Sequence, residues 1–459
     1  MWAALRQTVR RRAPCNGLNP HVSRVRELDR KAPLRAIPTH HATILLVEGD
    51  GVEAAALRAR LLTKVTCQIE PCTTLEEVRA ALARARPTLA IAGHAGAQEA
   101  LRLLVTRAVP TVLFAAALDP RIVGEGANTS LVDHVDSDAP DALDRLMERV
   151  ARLLGNRAIP VLVADDSPTA RATLVEILRR QNYHTIEAAS GAEALEILAE
   201  VDGIEMVVTD YHMPDMDGLA LTREIRRHRD PSRVRIIGIS ASTDPALSAQ
   251  FLKAGASDFI YRPFVAEEVW LRIRHGLETL EQIRRLRDLA ERDPLTGLYN
   301  RRAFFEQAHS QTAALRVDPG EDGGGVAILD IDHFKRVNDT YGHDTGDTVI
   351  REVAGVLGRI AHRERFLTAR FGGEEFVLLM SDFDVAEVHA ICEEVRTTVE
   401  ALTFTSSSEA FSVTVSIGVA RLQLTEGIDN NLNAADQMLY MAKGGGRNQV
   451  FSDATFSRL

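Results

Sequence analysis

Pro160-Val-Leu-Val-Ala-Asp-Asp-Ser167 is a short apolar run that stops on two carboxylates, and Thr43-Ile-Leu-Leu-Val-Glu-Gly-Asp50 has the same shape 117 residues earlier. Apolar runs of this length read as buried strands that deliver their acids to one edge of a sheet. Each is followed by a helical pattern and then by further short apolar runs with helices between them. Strands alternating with helices imply a parallel sheet covered on both faces. The two similar beginnings imply a duplicated domain. The expected class is therefore α/β, with two tandem doubly wound domains over residues 43–154 and 158–277 and a third domain after them.

The bulk numbers agree. A chain of 459 residues suggests about three domains. Lys and Arg total 54 against 64 Asp and Glu, a formal charge of −10 that argues against a nucleic-acid polymer as partner. The four cysteines, Cys15, Cys67, Cys72 and Cys392, include no Cys-x-x-Cys pair and read as reduced thiols of a cytoplasmic protein. The longest apolar run, Val109 to Leu118, contains Pro110 and is too short for stable membrane insertion. The first 42 residues carry nine Lys or Arg, only Glu27 and Asp29 as acids, and four prolines. With no sustained apolar face beside that charge, they read as a disordered basic extension.

Between Val265 and Arg292, apolar residues recur every three or four positions with Arg and Glu between them. This predicts an amphipathic helix that either pairs with a second copy or runs from the second domain into a solvated linker over 278–292. The third domain begins at Asp293 and extends to 455. Gly320 to Gly325 reads as a loop, and Val326-Ala-Ile-Leu-Asp-Ile331, Phe376-Val-Leu-Leu-Met380 and Phe411-Ser-Val-Thr-Val-Ser-Ile417 as strands.

The chemistry sits at strand ends. Asp165 and Asp166 end one strand, and Asp210 follows Met206-Val-Val-Thr209. Parallel strands that end on the same edge bring such acids into one crevice. Three carboxylates there repel one another unless a cation neutralises them, and hard oxygen donors suit Mg²⁺. The stretch Asp210-Tyr-His-Met-Pro-Asp-Met-Asp-Gly218 resembles the response-regulator receiver family, whose fold is flavodoxin-like. That resemblance implies Asp210 as phosphoacceptor, Asp165 and Asp166 as holders of one Mg²⁺, and Ser240 and Phe259 as the switch pair. It also implies a sensor histidine kinase or phosphotransfer protein as partner. Arg262-Pro263 stands where the family has Lys-Pro; a planar fork replaces a point charge. In the first repeat, Glu48 and Gly49 fall opposite Asp165 and Asp166, Gly93 falls opposite Asp210, Ala115 or Ala116 near the hydroxyl position, and Ser137 near the basic one. Glycine has no carboxylate to phosphorylate, so this repeat reads as a pseudo-receiver.

In the third domain, Asp330 and Asp332 lie at and just past a strand end. Arg370-Phe-Gly-Gly-Glu-Glu-Phe376 reads as a hairpin whose glycines permit the turn and present Glu374 and Glu375. If that turn lies beside Asp330, the acids form a cluster able to hold two divalent metals against phosphate. Together with Asp293-Pro-Leu-Thr-Gly-Leu-Tyr-Asn-Arg-Arg302, the segment Asp330 to Asp347 and Ala435 to Asn448, the hairpin resembles the GGDEF family of diguanylate cyclases. The order receiver, receiver, cyclase resembles the PleD-type response regulators. The resemblance implies a palm-like fold and GTP as substrate. It implies two Mg²⁺ held by Asp330, Glu374 and the Ile331 carbonyl. Asn338 and Asp347 would contact guanine, and Lys335, Lys443, Arg447 and the amides near Phe334 the phosphates. Either Glu374 or Glu375 would be the base. Asp332 is either part of the acid cluster or structural. Joining two GTP molecules requires a homodimer with facing cyclase domains. The family's Arg-x-x-Asp product site appears here as Arg363-Glu-Arg-Phe366, which predicts weak or absent product inhibition.

Overall fold

The computed structural model describes residues 42–48, 52–64, 67–93, 98–116, 131–242, 244–317, 324–406 and 409–453. The basic segment before Ala42, Gly49, Asp50, Gly320 to Gly323 and the last residues of the 293–455 expectation lie outside them. The chain divides at Gln282/Ile283 into two compact units.

The first unit holds two sheets of one design. The first comprises β1 Thr43–Val47, α1 Val52–Lys64, β2 Gln68–Cys72, α2 Leu75–Arg84, β3 Leu89–Gly93, α3 Gln98–Thr106, β4 Thr111–Phe114, β5 Leu131–Val135 and α4 Ala142–Asn156. The second comprises β6 Pro160–Ala164, α5 Pro168–Arg180, β7 His184–Ala188, α6 Gly191–Glu200, β8 Met206–Asp210, α7 Gly218–His228, β9 Arg235–Ser240, α8 Pro245–Lys253, β10 Asp258–Tyr261 and α9 Ala266–Glu291. Strand orders β2-β1-β3-β4-β5 and β7-β6-β8-β9-β10 are identical in topology, and all pairings are parallel. This is the doubly wound order whose switch point lies beside the first strand of each repeat. Central strands are buried along their whole length, as β3, β6 and β8 show, because helices cover both faces. Helix starts follow local chemistry: Thr74 and Glu77 form a capping box, while Ser167, with Pro168 behind it, caps α5.

The two repeats meet through side-chain amides. Asn156 donates to the Gln181 carbonyl at 2.8 Å and Asn182 to the Leu153 carbonyl at 2.7 Å. A cleft of about 490 Å³ near this joint is lined by Arg145, Glu148, Arg149, Arg152, Arg274 and Glu278.

The expected helix over 265–292 appears as α9, continuous through 278. Its first half buries Val269, Ile273, Leu277 and Leu280; beyond them Leu286 and Leu289 are 67% and 80% exposed. The seam therefore continues past the core that explains it.

The second unit contains β11 Tyr299–Asn300, α10 Arg301–Val317, β12 Gly325–Ile331, α11 Phe334–Tyr341, α12 His343–Glu364, β13 Leu367–Gly372, β14 Glu375–Met380, α13 Val385–Glu400, β15 Phe404–Ser406, β16 Glu409–Phe411, β17 Val415–Arg421, α14 Ile428–Gly444 and β18 Val450–Ser452. Among the described residues its main sheet runs β11-β13-β14-β12-β17-β18. Central β12 is antiparallel to both neighbours. Gly418 lets α14 press onto β17, since a side chain there would meet the Leu439 amide and Ala435 carbonyl at about 2.1–2.2 Å.

Two strand expectations are corrected. The strand beside the glycine loop starts at Gly325, one residue earlier than read. The run Phe411 to Ile417 is not one strand: β16 ends at Phe411 and β17 starts at Val415. Phe411 pairs with Phe404 and stacks on Tyr341 at 4.2 Å, while Thr414 turns both its carbonyl and its hydroxyl to Asp332. An alternating apolar pattern cannot reveal such a change of partner.

Candidate active site and phosphorylation site

In the second unit the metal-type acids sit at the end of β12. Asp330 is 7% exposed and lies opposite Glu375 of β14. The β13–β14 hairpin turns through Gly373, whose φ of 51° is open to glycine at little cost. The Ile331 amide donates to the Glu374 carbonyl at 3.4 Å, which ties the turn to the end of β12. From α14, Lys443 places Nζ 2.9 Å from Asp330 Oδ2. Burial raises the Asp330 carboxyl above its usual range; the Lys443 ammonium opposes the rise, while Glu374 and Glu375 add to it. Three carboxylates and one ammonium therefore share this corner; the sequence groups Asp330, Glu374 and Glu375 but assigns Lys443 to phosphate, not to Asp330.

The segment after Asp332 reverses direction at His333, with φ 56°, and starts α11 at Phe334. The amides of Arg336 and Val337 bond the His333 carbonyl, which leaves those of Phe334 and Lys335 at the helix start, where anions are favoured. Asn338 follows on α11, and Asp347, half-buried, lies in the first turns of α12. Asn338 Oδ1 is buried without a hydrogen-bond partner among the described residues. A side chain at Gly346 would come within 1.9 Å of that oxygen. A buried amide oxygen kept open in this way is a cradle for a donor from outside the chain.

Asp332 is resolved as structural. Its carboxylate accepts from the Thr414 hydroxyl (2.7 Å), the Ser416 hydroxyl (2.7 Å) and the Asn448 amide (3.0 Å), with Arg447 Nε at 4.0 Å. It fastens the start of β17 and the loop after α14, and so positions Arg447 rather than joining the acid cluster. A brace not assigned from the sequence is Arg370. Its guanidinium donates to the Gly373 carbonyl (2.8 Å from Nη2) and to Asp293 Oδ1 (3.0 Å). Burial acts to raise the Asp293 carboxyl, but hydrogen bonds from Thr296 and Arg370 hold it below its usual range. The opening Asp-Pro-Leu-Thr stretch thus clamps the hairpin turn. The signal was available: an Arg and an Asp, each in a quoted motif, with no other duty.

Arg363 lies at the exposed end of α12. It pairs with Glu364 at 2.6 Å and Glu394 at 2.5 Å, and Phe366 is buried. Its guanidinium is therefore already matched by two carboxylates.

In the first unit, Asp165 ends β6 at 1% exposure and Asp210 ends β8 at 7%, with Asp166 exposed beside them. Arg262 Nη2 lies 2.6 Å from Asp165 Oδ2 and 3.4 Å from Asp210 Oδ1. The Ser167 and His212 amides donate to Asp165 (2.9 Å) and Asp210 (2.8 Å). Burial and the neighbouring Asp165 raise the Asp210 carboxyl; Arg262 and the His212 amide counter this, and Asp166 adds to it. Ser240 is buried at the end of β9, where its Oγ accepts from the Ser242 amide (3.0 Å). Phe259 packs between Phe251 and Tyr261 at 5.1 and 4.9 Å.

The first repeat has the same backbone and other chemistry. The Glu48 amide bonds the Cys72 carbonyl as that of Asp165 bonds Ala188, and the Ser137 amide bonds Ala115 as that of Arg262 bonds Ser240. These matched hydrogen bonds make Glu48, Ala115 and Ser137 the counterparts of Asp165, Ser240 and Arg262, and settle Ala115 over Ala116. At the phosphoacceptor position a side chain on Gly93 would meet Glu48 Cγ at 3.0 Å.

Among the described residues no three His, Cys, Asp or Glu side chains are gathered as ligands of one metal. Instead each acid set is held by a basic group, Arg262 or Lys443. The donor chemistry still fits Mg²⁺: all-oxygen acids, with Asp165, Asp210 and Asp330 buried beside more open carboxylates. The described cysteines, Cys67, Cys72 and Cys392, are free, and burial pushes the Cys72 thiol up to about 11 and Cys392 to about 12, which leaves them unreactive. No described helix is long and apolar enough to cross a membrane.

Residues 290–449 match the family described as "Diguanylate cyclase, GGDEF domain", and residues 161–274 the "Response regulator receiver domain". The chain is a GGDEF-domain response regulator. It is 34% identical over 319 residues to "Response regulator PleD" of Caulobacter vibrioides, an alignment covering 66% of each chain. It is 42% identical over 176 residues to "Probable diguanylate cyclase DgcT" of Escherichia coli, covering 37% of each. A solved "putative two-component system response regulator/ggdef domain protein" is 32% identical and aligns over 52% of this chain and 99% of that one, at a TM-score of 0.43. The chain thus spans about two thirds of PleD and just over a third of DgcT. The receiver match falls on the second repeat of this GGDEF response regulator.

Proposed function

We propose that this GGDEF response regulator condenses two GTP into cyclic di-GMP and two pyrophosphates, under control of phosphorylation at Asp210. The carrying observation is the corner where Asp330, Glu374, Glu375 and Lys443 meet, one strand-end turn away from the open Asn338 amide. Asn338 and Asp347 accept from the guanine edge. The Phe334 and Lys335 amides, Lys335 itself and Arg447 hold the phosphates. Two Mg²⁺, on Asp330, Glu374 and the Ile331 carbonyl, would neutralise the phosphate oxygens and lower the barrier to attack. With Asp330 taken up as a metal ligand, Lys443 would be available to hold phosphate. Glu374 or Glu375 takes the proton of the 3′-hydroxyl. The 3′-oxygen bonds to the α-phosphorus of the partner's GTP, and the bond to the bridging oxygen of pyrophosphate breaks. Performed twice, this closes the ring, so two chains act as a homodimer with facing cyclase domains. The exposed Leu286 and Leu289 seam of α9 suits pairing with a second copy.

In the first unit, Asp165 and Asp166 would hold one Mg²⁺ while Asp210 accepts a phosphoryl group from a histidine kinase or phosphotransfer protein. Ser240, Phe259 and Arg262 respond to it. The residue 43–154 repeat is a degenerate receiver that packs rather than reacts. The test is incubation with GTP and Mg²⁺, with and without a small phosphoryl donor, beside Glu375→Ala. We expect cyclic di-GMP that rises with the donor and vanishes in the variant. GTP binding without product under every condition would instead mark a silent nucleotide-binding scaffold.

A further inference from the structure

Helix α14 turns Ala435, Leu439 and Ala442 inward onto the sheet and leaves Tyr440 77% exposed and Met441 43% exposed. Tyr440 stands three residues before Lys443, and residues three apart share one flank of a helix. That flank is the one from which Lys443 reaches Asp330 at 2.9 Å. Among the described residues the Tyr440 ring makes no ring contact and its hydroxyl no hydrogen bond. An aromatic side chain of this size left open at the rim of a charged corner has no duty in the fold of its own chain.

The reaction proposed above, on which this inference rests, supplies a duty. The 3′-oxygen that attacks the α-phosphate held at this corner belongs to the GTP of the other chain. Bond formation therefore brings the other chain's ribose, and the guanine attached to it, over the rim of the Asp330–Lys443 corner. The phosphates are met by cations, but the nucleoside needs an apolar, flat support. We propose that Tyr440 is a positioning residue acting across the dimer, packing its ring against the nucleoside half of the GTP bound by the partner subunit. Aromatic support of a base tolerates exposure and needs only the ring face.

The experiment uses the full chain, with rates of cyclic di-GMP formation at saturating GTP and affinity for a non-reactive GTP analogue bridged by α,β-methylene. Tyr440→Ala lowers the rate by at least about fivefold, the lower end of what one lost base–aromatic contact costs. Its affinity for the analogue stays within twofold, since each chain holds its own nucleotide by other residues. Tyr440→Phe and Tyr440→Trp keep the rate near wild type, because the ring carries the effect. A thermal midpoint unchanged in Tyr440→Ala shows that the fold is intact, as exposure demands. A rate for Tyr440→Ala within twofold of wild type overturns the proposal. So does an affinity loss matching the rate loss, which places the ring on its own chain's nucleotide, or a Phe variant as slow as Ala. A wild-type chain that makes no product overturns the cyclase reading itself, and this inference with it.

Discussion

The two sheets of the first unit have one topology, one crossover pattern and the same strand-end hydrogen bonds, yet only the second ends its third strand on a carboxylate. In the second repeat β8 ends on Asp210, and Asp165 and Arg262 surround it. In the first repeat β3 ends on Gly93, and Glu48 leans over the vacated place. The hydrophobic cores differ little in kind, so the fold survives the loss of the chemistry. A sheet is stabilised by many buried side chains, each contributing a little, whereas a phosphoacceptor is one carboxylate that nothing replaces. Folding and reacting are therefore separable here by a single position.

The largest expected effect tests that separation directly. Asp210→Asn should reduce labelling by a radioactive phosphoryl donor to background, because Asp165 is tied to Arg262 and the first repeat has Gly93 at the matching position; residual acid-stable, hydroxylamine-sensitive label mapping to residues 43–154 would break the comparison. The same variant should raise the melting midpoint in chelator at pH 7. The folded-state carboxyl is raised by burial, so its ionisation costs stability once pH exceeds the unfolded value of about 3.9. The gain should disappear below about pH 4, where both states are protonated.

Next comes the resident cation. Arg262→Ala should tighten Mg²⁺ binding at the second repeat by about tenfold in calorimetric titration, the size of one released hydrogen bond to a charged group. Looser binding would show that the guanidinium assists the metal rather than competing with it for Asp165. A smaller effect is expected of Gly93→Asp, which restores a carboxylate without its partners. It should take no phosphoryl label and cost about 1 kcal/mol in denaturant unfolding, because its first carbon meets Glu48. The smallest concerns eroded chemistry in the second unit. Arg363→Ala should leave product inhibition within twofold of wild type, since Glu364 and Glu394 already match the guanidinium. Micromolar inhibition abolished by that change would return a product site to this face.

Much of this was legible before any coordinates. Glu48, Gly93 and Ser137 could be placed against Asp165, Asp210 and Arg262 by counting from strand to strand, because parallel strands end on one edge; the choice of Ala115 over Ala116 opposite Ser240 needed the hydrogen bonds. The corner of Asp330, Glu374 and Glu375 was equally legible, since a Gly-Gly turn beside a strand end has few places to put its acids. What could not be read was where each polar group spends its hydrogen bonds. Asp332 stands two residues from Asp330 and in the sequence is its equal. Only the return of β17 and of the Asn448 loop fills its oxygens and removes it from the cluster. Arg370 was a letter in a signature until Asp293, 77 residues away, proved to be its partner.

By itself, then, the sequence determined the α/β architecture, the repeat and the acids at the strand ends, because periodicity and strand direction are local properties. The tertiary structure decided that the oxygens of Asp332 are already bonded, that basic side chains stand over both acid sets, and that Tyr440 is left open beside Lys443. Those are matters of pairing between segments far apart in the chain. A residue's type states what it can bond to; only the folded neighbourhood settles which of those bonds are already made.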